Sequence, residues 1–265
     1  MRKAIFITGG GSGIGRAVAL RFAREGWLVG LADVNATGLA ETAALLPDGA
    51  SWTTRLDVRD RAAWDTALAE FAQASGGRLD VLFNNAGVAH GGPFGESPHA
   101  EIDQLIDVNF RGVVNGAHAA YALLKATPGS CLLNTASAAA LYGAAGLAVY
   151  AATKFAVRGL TEALDIEWAG DDIRVRDLMP GFIDTPLLVP PAHAGTNQSM
   201  RDSVIEAGLE FTPVEVVADT AWAAVTSSKL HHLVGKTARR LAFAARWMPG
   251  RLRKGMVGNF GRAKA

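Results

Sequence analysis

Tyr150 and Lys154 place a phenol and an ammonium four positions apart, and Ser137 sets a hydroxyl shortly upstream. On a helix that spacing puts both side chains on one face, about one turn apart. A free tyrosine, with a pKa near ~10, is a poor base at neutral pH. A cation beside it favours the phenolate. The stretch from Ser137 to Lys154 therefore offers an acid/base pair with a second hydrogen-bonding group. Tyr121 and Lys125 repeat the same spacing, so one of the two pairs is structural. A second stretch, Gly9 to Gly15, reads Gly-Gly-Gly-Ser-Gly-Ile-Gly. Between a strand and a helix, such a turn brings backbone N–H groups and a helix N-terminus to a phosphate. No Lys-Ser/Thr pair follows the glycines, so this is not a Walker loop. The rival reading is a flexible turn without a ligand.

The elements that must position these residues alternate along the chain. Short apolar runs at 3–8 and 28–32 read as buried strands, and 51–56, 80–83, 130–136 and 173–179 read as further strands. Between them, helical patterns cover 14–26, 39–46, 61–74, 100–126 and 148–169. Trp64, Leu68 and Phe71 share one helix face, and His231 to Gly235 fits a short last strand. The reading is an α/β fold: a doubly wound, Rossmann-like parallel sheet of about seven strands with helices on both faces. Gly9–Gly15, Asp33, Asp57, Asn84–Gly87, Ser137 and Pro180–Thr185 all fall at strand carboxyl ends, where such sheets bind ligands. Asp33 ends the second strand, where an acid can accept hydrogen bonds from a ribose diol.

The chain has 265 residues, 49% apolar and 19% charged, ample for a sizeable core. A net charge of +1 makes no case for a nucleic-acid partner. Cys131, the sole cysteine, lies in an apolar run; it reads as a small buried hydrophobe, and its solitude fits a reducing cytoplasm. No apolar stretch is long enough to span a bilayer. His90, His193, His231 and His232 lack metal-ligand spacing, and no metal site is expected. Residues 1–235 read as one catalytic domain with a substrate lid at about 186–212, and 236–265 as its basic extension.

These motifs in order resemble the short-chain dehydrogenases/reductases in their compact form. The match rests on Thr8-Gly-x-x-x-Gly13-x-Gly15, Asn84-Asn85-Ala86-Gly87, Asn109, Ser137, Tyr150-x-x-x-Lys154 and Pro180-Gly181. The resemblance implies that Tyr150 is the acid in reduction and the base in oxidation. Lys154 would lower its pKa and bind the nicotinamide ribose, Ser137 would polarise the substrate carbonyl, and Asn109 would hold a water. Tyr121–Lys125 is then the structural pair. Gly9, Ser12, Gly13, Ile14, Gly15, Asp33, Asp57, Val58, Asn85, Gly87, Pro180, Gly181, Ile183 and Thr185 would bind the cofactor with Tyr150 and Lys154. Asp57 would meet the adenine, unless it is only a helix N-terminal acid. Asp33, with Ser12 and Val34-Asn35 where NADP-using relatives carry Arg or Lys, favours NAD(H) over NADP(H).

Val88, Leu141, Tyr142, Phe182, Leu187, Leu188 and Val189 suggest an apolar pocket, suited to a hydrophobic secondary alcohol or ketone as the small-molecule substrate. A non-catalytic dinucleotide sensor or scaffold, and an epimerase or dehydratase on the same fold, are the alternatives. A homodimer or homotetramer is implied by resemblance. After Asp219 no acidic residue occurs, while ten Lys and Arg follow. Leu241, Phe243, Ala244, Trp247 and Met248 run as an apolar stripe among those arginines. The favoured reading is a terminal helix packed on a neighbouring subunit or on the lid; the alternative is peripheral contact with anionic membrane.

Overall fold

Five consecutive residues of the first strand are buried on both faces of one sheet, which is the mark of a parallel sheet sandwiched by helices. A computed structural model describes residues 2–189, 197–206 and 208–262. The expectations at Pro190-Pro191 and His193 lie outside the described residues.

In chain order the elements are β1 (Ala4–Thr8), α1 (Gly13–Arg24), β2 (Leu28–Asp33), α2 (Ala36–Ala44), β3 (Ser51–Arg55), α3 (Arg61–Ser75) and β4 (Val81–Asn84). Then come α4 (His99–Ile106), a π-helical turn (Asp107–Arg111), α5 (Gly112–Lys125), β5 (Cys131–Thr135) and α6 (Ala148–Glu167). β6 (Arg174–Pro180), β7 (Phe182–Ile183), α7 (Met200–Glu206), β8 (Phe211–Thr212), α8 (Val214–Ala224) and β9 (His231–Val234) follow. The chain closes with α9 (Lys236–Trp247) and α10 (Pro249–Arg262). Seven strands form one parallel sheet in the order β3-β2-β1-β4-β5-β6-β9. The order reverses between β1 and β4, which opens a crevice at their carboxyl ends.

Alternation along β1 sends Ile5 and Ile7 to one face and Ala4 and Phe6 to the other. The first face carries α1 and α8, locked by the edge-on rings of Phe22, Trp27 and Trp222. The second carries α3, α5 and α6, with Trp64 fully buried and its indole N–H donating to the Val58 carbonyl at 3.0 Å. Cys131 is buried in the first core, and burial pushes its thiol up to about 12, so it stays protonated.

Three elements depart from the sequence reading. α2 starts at Ala36, ahead of the expected Leu39, because the Asn35 side chain accepts the Gly38 N–H at 3.1 Å and caps it. The helix expected over 100–126 is broken by the π turn at Asp107–Arg111. α8 has no counterpart in the periodicity; its mostly short side chains pack closely on α1.

Candidate active site

The glycine turn is the first wall of the site. Gly9 and Gly13 have φ of +68° and +51°, a region costly for side chains. Gly15 is needed for a different reason: a Cβ there would lie 2.0 Å from the Gly9 carbonyl oxygen. α1 can therefore approach β1 only with glycine at this position. Ser12 stands at the N-cap of α1, yet its side chain makes no capping bond. Asp33 braces the turn: its carboxylate accepts the Gly11 and Asn35 N–H groups, each at 2.9 Å. Arg16, which the motif reading passed over, donates to the Gly11 carbonyl at 2.7 Å.

The second wall comes from β4 and β5. Asn85 ties three strand ends together. Its N–H donates to the Thr8 hydroxyl at 3.0 Å, its amide donates to the Thr8 carbonyl at 3.0 Å, and its Oδ1 accepts from Thr135 at 3.2 Å. Asn109 is fully buried in the π turn. Its Oδ1 accepts the Val88 N–H at 2.8 Å and its Nδ2 donates to the Val88 carbonyl at 2.9 Å. The side chain expected to hold a water is thus engaged at both ends with backbone. A Cβ on Gly87 would meet Asn109 Oδ1 at 3.2 Å and Lys154 Nζ at 3.9 Å, so these three groups are close neighbours.

The reacting groups meet where β5 ends and α6 begins. Lys154 Nζ donates to the Thr135 carbonyl at 2.8 Å and lies 5.8 Å from the centre of the Tyr150 ring. Tyr150 sits in the first turn of α6, at the positive end of the helix dipole, and lines the cleft together with Ser137. Ser137 and Lys154 are buried. The sequence reading has Lys154 lower the Tyr150 pKa. In the structure burial dominates both groups: it raises the phenol, with Ser137 partly opposing, and lowers Lys154 to about 8.

One cavity of about 690 Å³ joins the two walls. Ser12, Asp33, Asn85, Ser137, Tyr150, Lys154 and Thr185 all line it, as do Gly9, Gly13, Ile14, Asp57, Val58, Gly87, Pro180, Gly181 and Ile183. Gly15 and Asn109 support it from behind. Asp57 grips Arg59, with contacts of 2.6 to 3.1 Å, and this partner holds its carboxyl below the usual range. The helix N-terminal role weighed for Asp57 belongs instead to Asp60, whose side chain accepts the Ala63 N–H at 3.1 Å. Towards the substrate end, Val88, Tyr142, Phe182, Leu187, Leu188 and Met200 make an apolar wall. Leu141 turns away to pack with Val113 and Val157, and Val189 is exposed. Leu241 and Met256, from α9 and α10, complete the wall. The sequence placed Leu241 in an apolar stripe that packs on a neighbour or on the lid, and here it lines the cleft beside Leu188 and Met200; Met256 had no such signal, because it reaches the cleft only through the path of the terminal chain.

A parallel sheet reversed at β1/β4, with a glycine turn on one side of the crevice and a Ser-Tyr-Lys set on the other, defines a dinucleotide-dependent oxidoreductase fold. The sequence profile described as short chain dehydrogenase matches residues 3–193. The chain belongs to the short-chain dehydrogenase/reductase family and is an oxidoreductase of that family. It is 36% identical to the meso-2,3-butanediol dehydrogenase of Serratia marcescens over 225 residues, 84% of this chain and 87% of that one. It is 38% identical to the levodione reductase of Leifsonia aquatica over 194 residues, 70% and 71% of the two chains. A short-chain dehydrogenase/reductase from Burkholderia phymatum, solved in complex with NAD, superposes with a TM-score of 0.80. It is 27% identical, and the match covers 96% of this chain and 95% of that one.

Proposed function

We propose that the protein interconverts a hydrophobic secondary alcohol and its ketone with NAD(H), using Tyr150 as acid and base. The observation that carries the reading is the meeting of Ser137, Tyr150 and Lys154 at one end of a cleft whose other end is the uncapped N-terminus of α1. The residues fit a dinucleotide. Free N–H groups of Ser12, Gly13 and Ile14 suit a pyrophosphate. Asp33 suits a ribose diol and repels a 2′-phosphate. Among the described residues the one guanidinium lining the cavity, Arg59, is already paired with Asp57, so it offers a 2′-phosphate little free charge.

When bound, the nicotinamide supplies the hydride acceptor or donor. The protein's task is the substrate oxygen. In oxidation Tyr150 takes the hydroxyl proton onto its Oη as the carbonyl forms; in reduction it returns that proton to the alkoxide. Ser137 gives the same oxygen a second hydrogen bond, which stabilises developing negative charge. Lys154, anchored on the Thr135 carbonyl, supplies positive charge near the ring. Asn109 fixes Val88 and Gly87 beside that ammonium and so keeps the floor of the site in register. The names of the two relatives, a diol dehydrogenase and a reductase, support the reaction class. A panel of secondary alcohols and ketones read by NADH absorbance tests it; turnover with none of them overturns the reading.

The same reading includes a homodimer or homotetramer built through α4–α5 and α6. Phe155 and Ile166 stand 41% and 80% exposed on α6, as an interface helix requires. Light scattering should report an oligomer, and Ile166→Asp should shift it to a smaller species.

A further inference from the structure

α9 and α10 have two faces with different surroundings. The inner face sends Leu241 and Met256 into the cleft wall. The outer face of α9 carries Arg239, Arg240, Phe243, Arg246 and Trp247, at helical spacing and all exposed. Phe243 and Trp247 are 58% and 65% exposed, and the Arg246 guanidinium lies 5.3 Å from the Trp247 ring centre. An aromatic pair left in water beside unpaired arginines is unusual for a solvated face. Among the described residues no carboxylate pairs with Arg239, Arg240 or Arg246, and no acidic residue occurs after Asp219. Among the described residues the only ion pair of either helix is Lys236 with Glu210, at 3.4 Å, at the start of α9.

From this geometry we propose that the outer face of α9 docks on an anionic lipid surface. Arginine supplies the attraction to lipid phosphate, and the aromatic rings sit at headgroup depth, where amphipathic rings are stable. A second copy of this face would bring like charges together, so charge complementarity favours lipid as the occupant. The same helix walls the cleft together with α10, so docking sets that wall against the bilayer. The substrate is then an apolar alcohol or ketone that partitions into lipid. This last step rests on the proposed reaction; the docking itself does not.

The test uses the full chain and vesicles of phosphatidylcholine, with and without phosphatidylglycerol. Co-sedimentation should occur with the anionic vesicles, fade at about 0.5 M salt, and be weak with the neutral ones. Replacing Arg239, Arg240 and Arg246 by Gln should weaken partitioning on the order of a hundred-fold. Phe243→Ser with Trp247→Ser should weaken it about ten-fold or more. Both variants should keep NADH binding and turnover of a water-soluble alcohol. Failure to pellet, equal pelleting with neutral vesicles, or variants that pellet like the parent would overturn the docking. So would light scattering in which the serine variant breaks an oligomer of the parent, since a second copy would then cover the face. Absence of turnover with retained vesicle binding would instead remove the reaction and leave the docking.

Discussion

Two Tyr–Lys pairs with one spacing have different fates, and the difference lies in what each hydroxyl meets. Tyr121 donates to Asp171 at 2.5 Å, its ring packs on Trp168, and Lys125 pairs with the same aspartate at 2.8 Å. That set clamps the end of α5 to the turn after α6, far from the glycine turn. Tyr150 meets Ser137 in the cleft. Tyr150→Phe should therefore lower turnover by about a hundred-fold or more while NADH still quenches protein fluorescence. Tyr121→Phe should keep the activity and lower the melting temperature. Full activity in the first variant would exclude the mechanism. Asp33 acts at the same scale: Asp33→Ala removes the carboxylate that faces the cleft, so the ratio of kcat/KM for NAD over NADP should fall. An unchanged ratio would exclude its role in cofactor choice.

Elements matter here through how closely they approach. Gly15 lets α1 meet β1, and Gly15→Ala forces its Cβ into the Gly9 carbonyl. Overpacking of this kind costs about 3 kcal/mol or more when backbone must move. The variant should melt earlier and lose NADH binding; calorimetry and NADH titration check both. The π turn is a second case. Its extra residue inserts Asn109 between two helical segments and aims the amide at Val88. A straight helix would turn that position away from the loop after β4. The third case is α9, whose inner residues shape the cleft and whose outer residues face away from it.

Across the whole molecule, the sheet edge at β9 is held by a titratable cluster. His231 on β9 bonds the buried Asp177 of β6 at 2.9 Å and Glu162 of α6 at 3.1 Å. The Asp177 bond raises the His231 pKa above its usual 6.5. Burial raises Asp177 as well. In both cases the folded state holds protons that the unfolded state has released, so stability falls as pH rises. His231 contributes fully below pH 6.5 and loses its contribution as pH rises through its raised value. The melting temperature of the parent should exceed that of His231→Gln most at about pH 6, with the gap closing towards pH 9. A gap that widens with pH would contradict the assignment. Among the described residues no helix is long and apolar enough to cross a membrane, so the proposed lipid contact is peripheral.

The sequence by itself determined the parallel sheet, because strand and helix patterns alternate and the central strands β1, β2 and β4 are apolar on both faces. It also determined which residues gather at the strand ends, since a parallel sheet puts every carboxyl end on one side. That is why Asp33 and Ser137 are legible in the sequence, while Tyr150 is legible through its spacing to Lys154 and the family resemblance. Periodicity could not show the π turn, because one added residue in a helix leaves the apolar pattern nearly intact. Nor could it show that burial raises the Tyr150 pKa, since a pKa depends on surroundings drawn from several elements. Likewise Asp57 and Asp60 look alike in the chain, and only the turn between β3 and α3 gave one to Arg59 and the other to the helix end. Leu241 and Met256 reach the cleft because the terminal helices fold back across it, a contact between residues distant in sequence that local pattern does not encode.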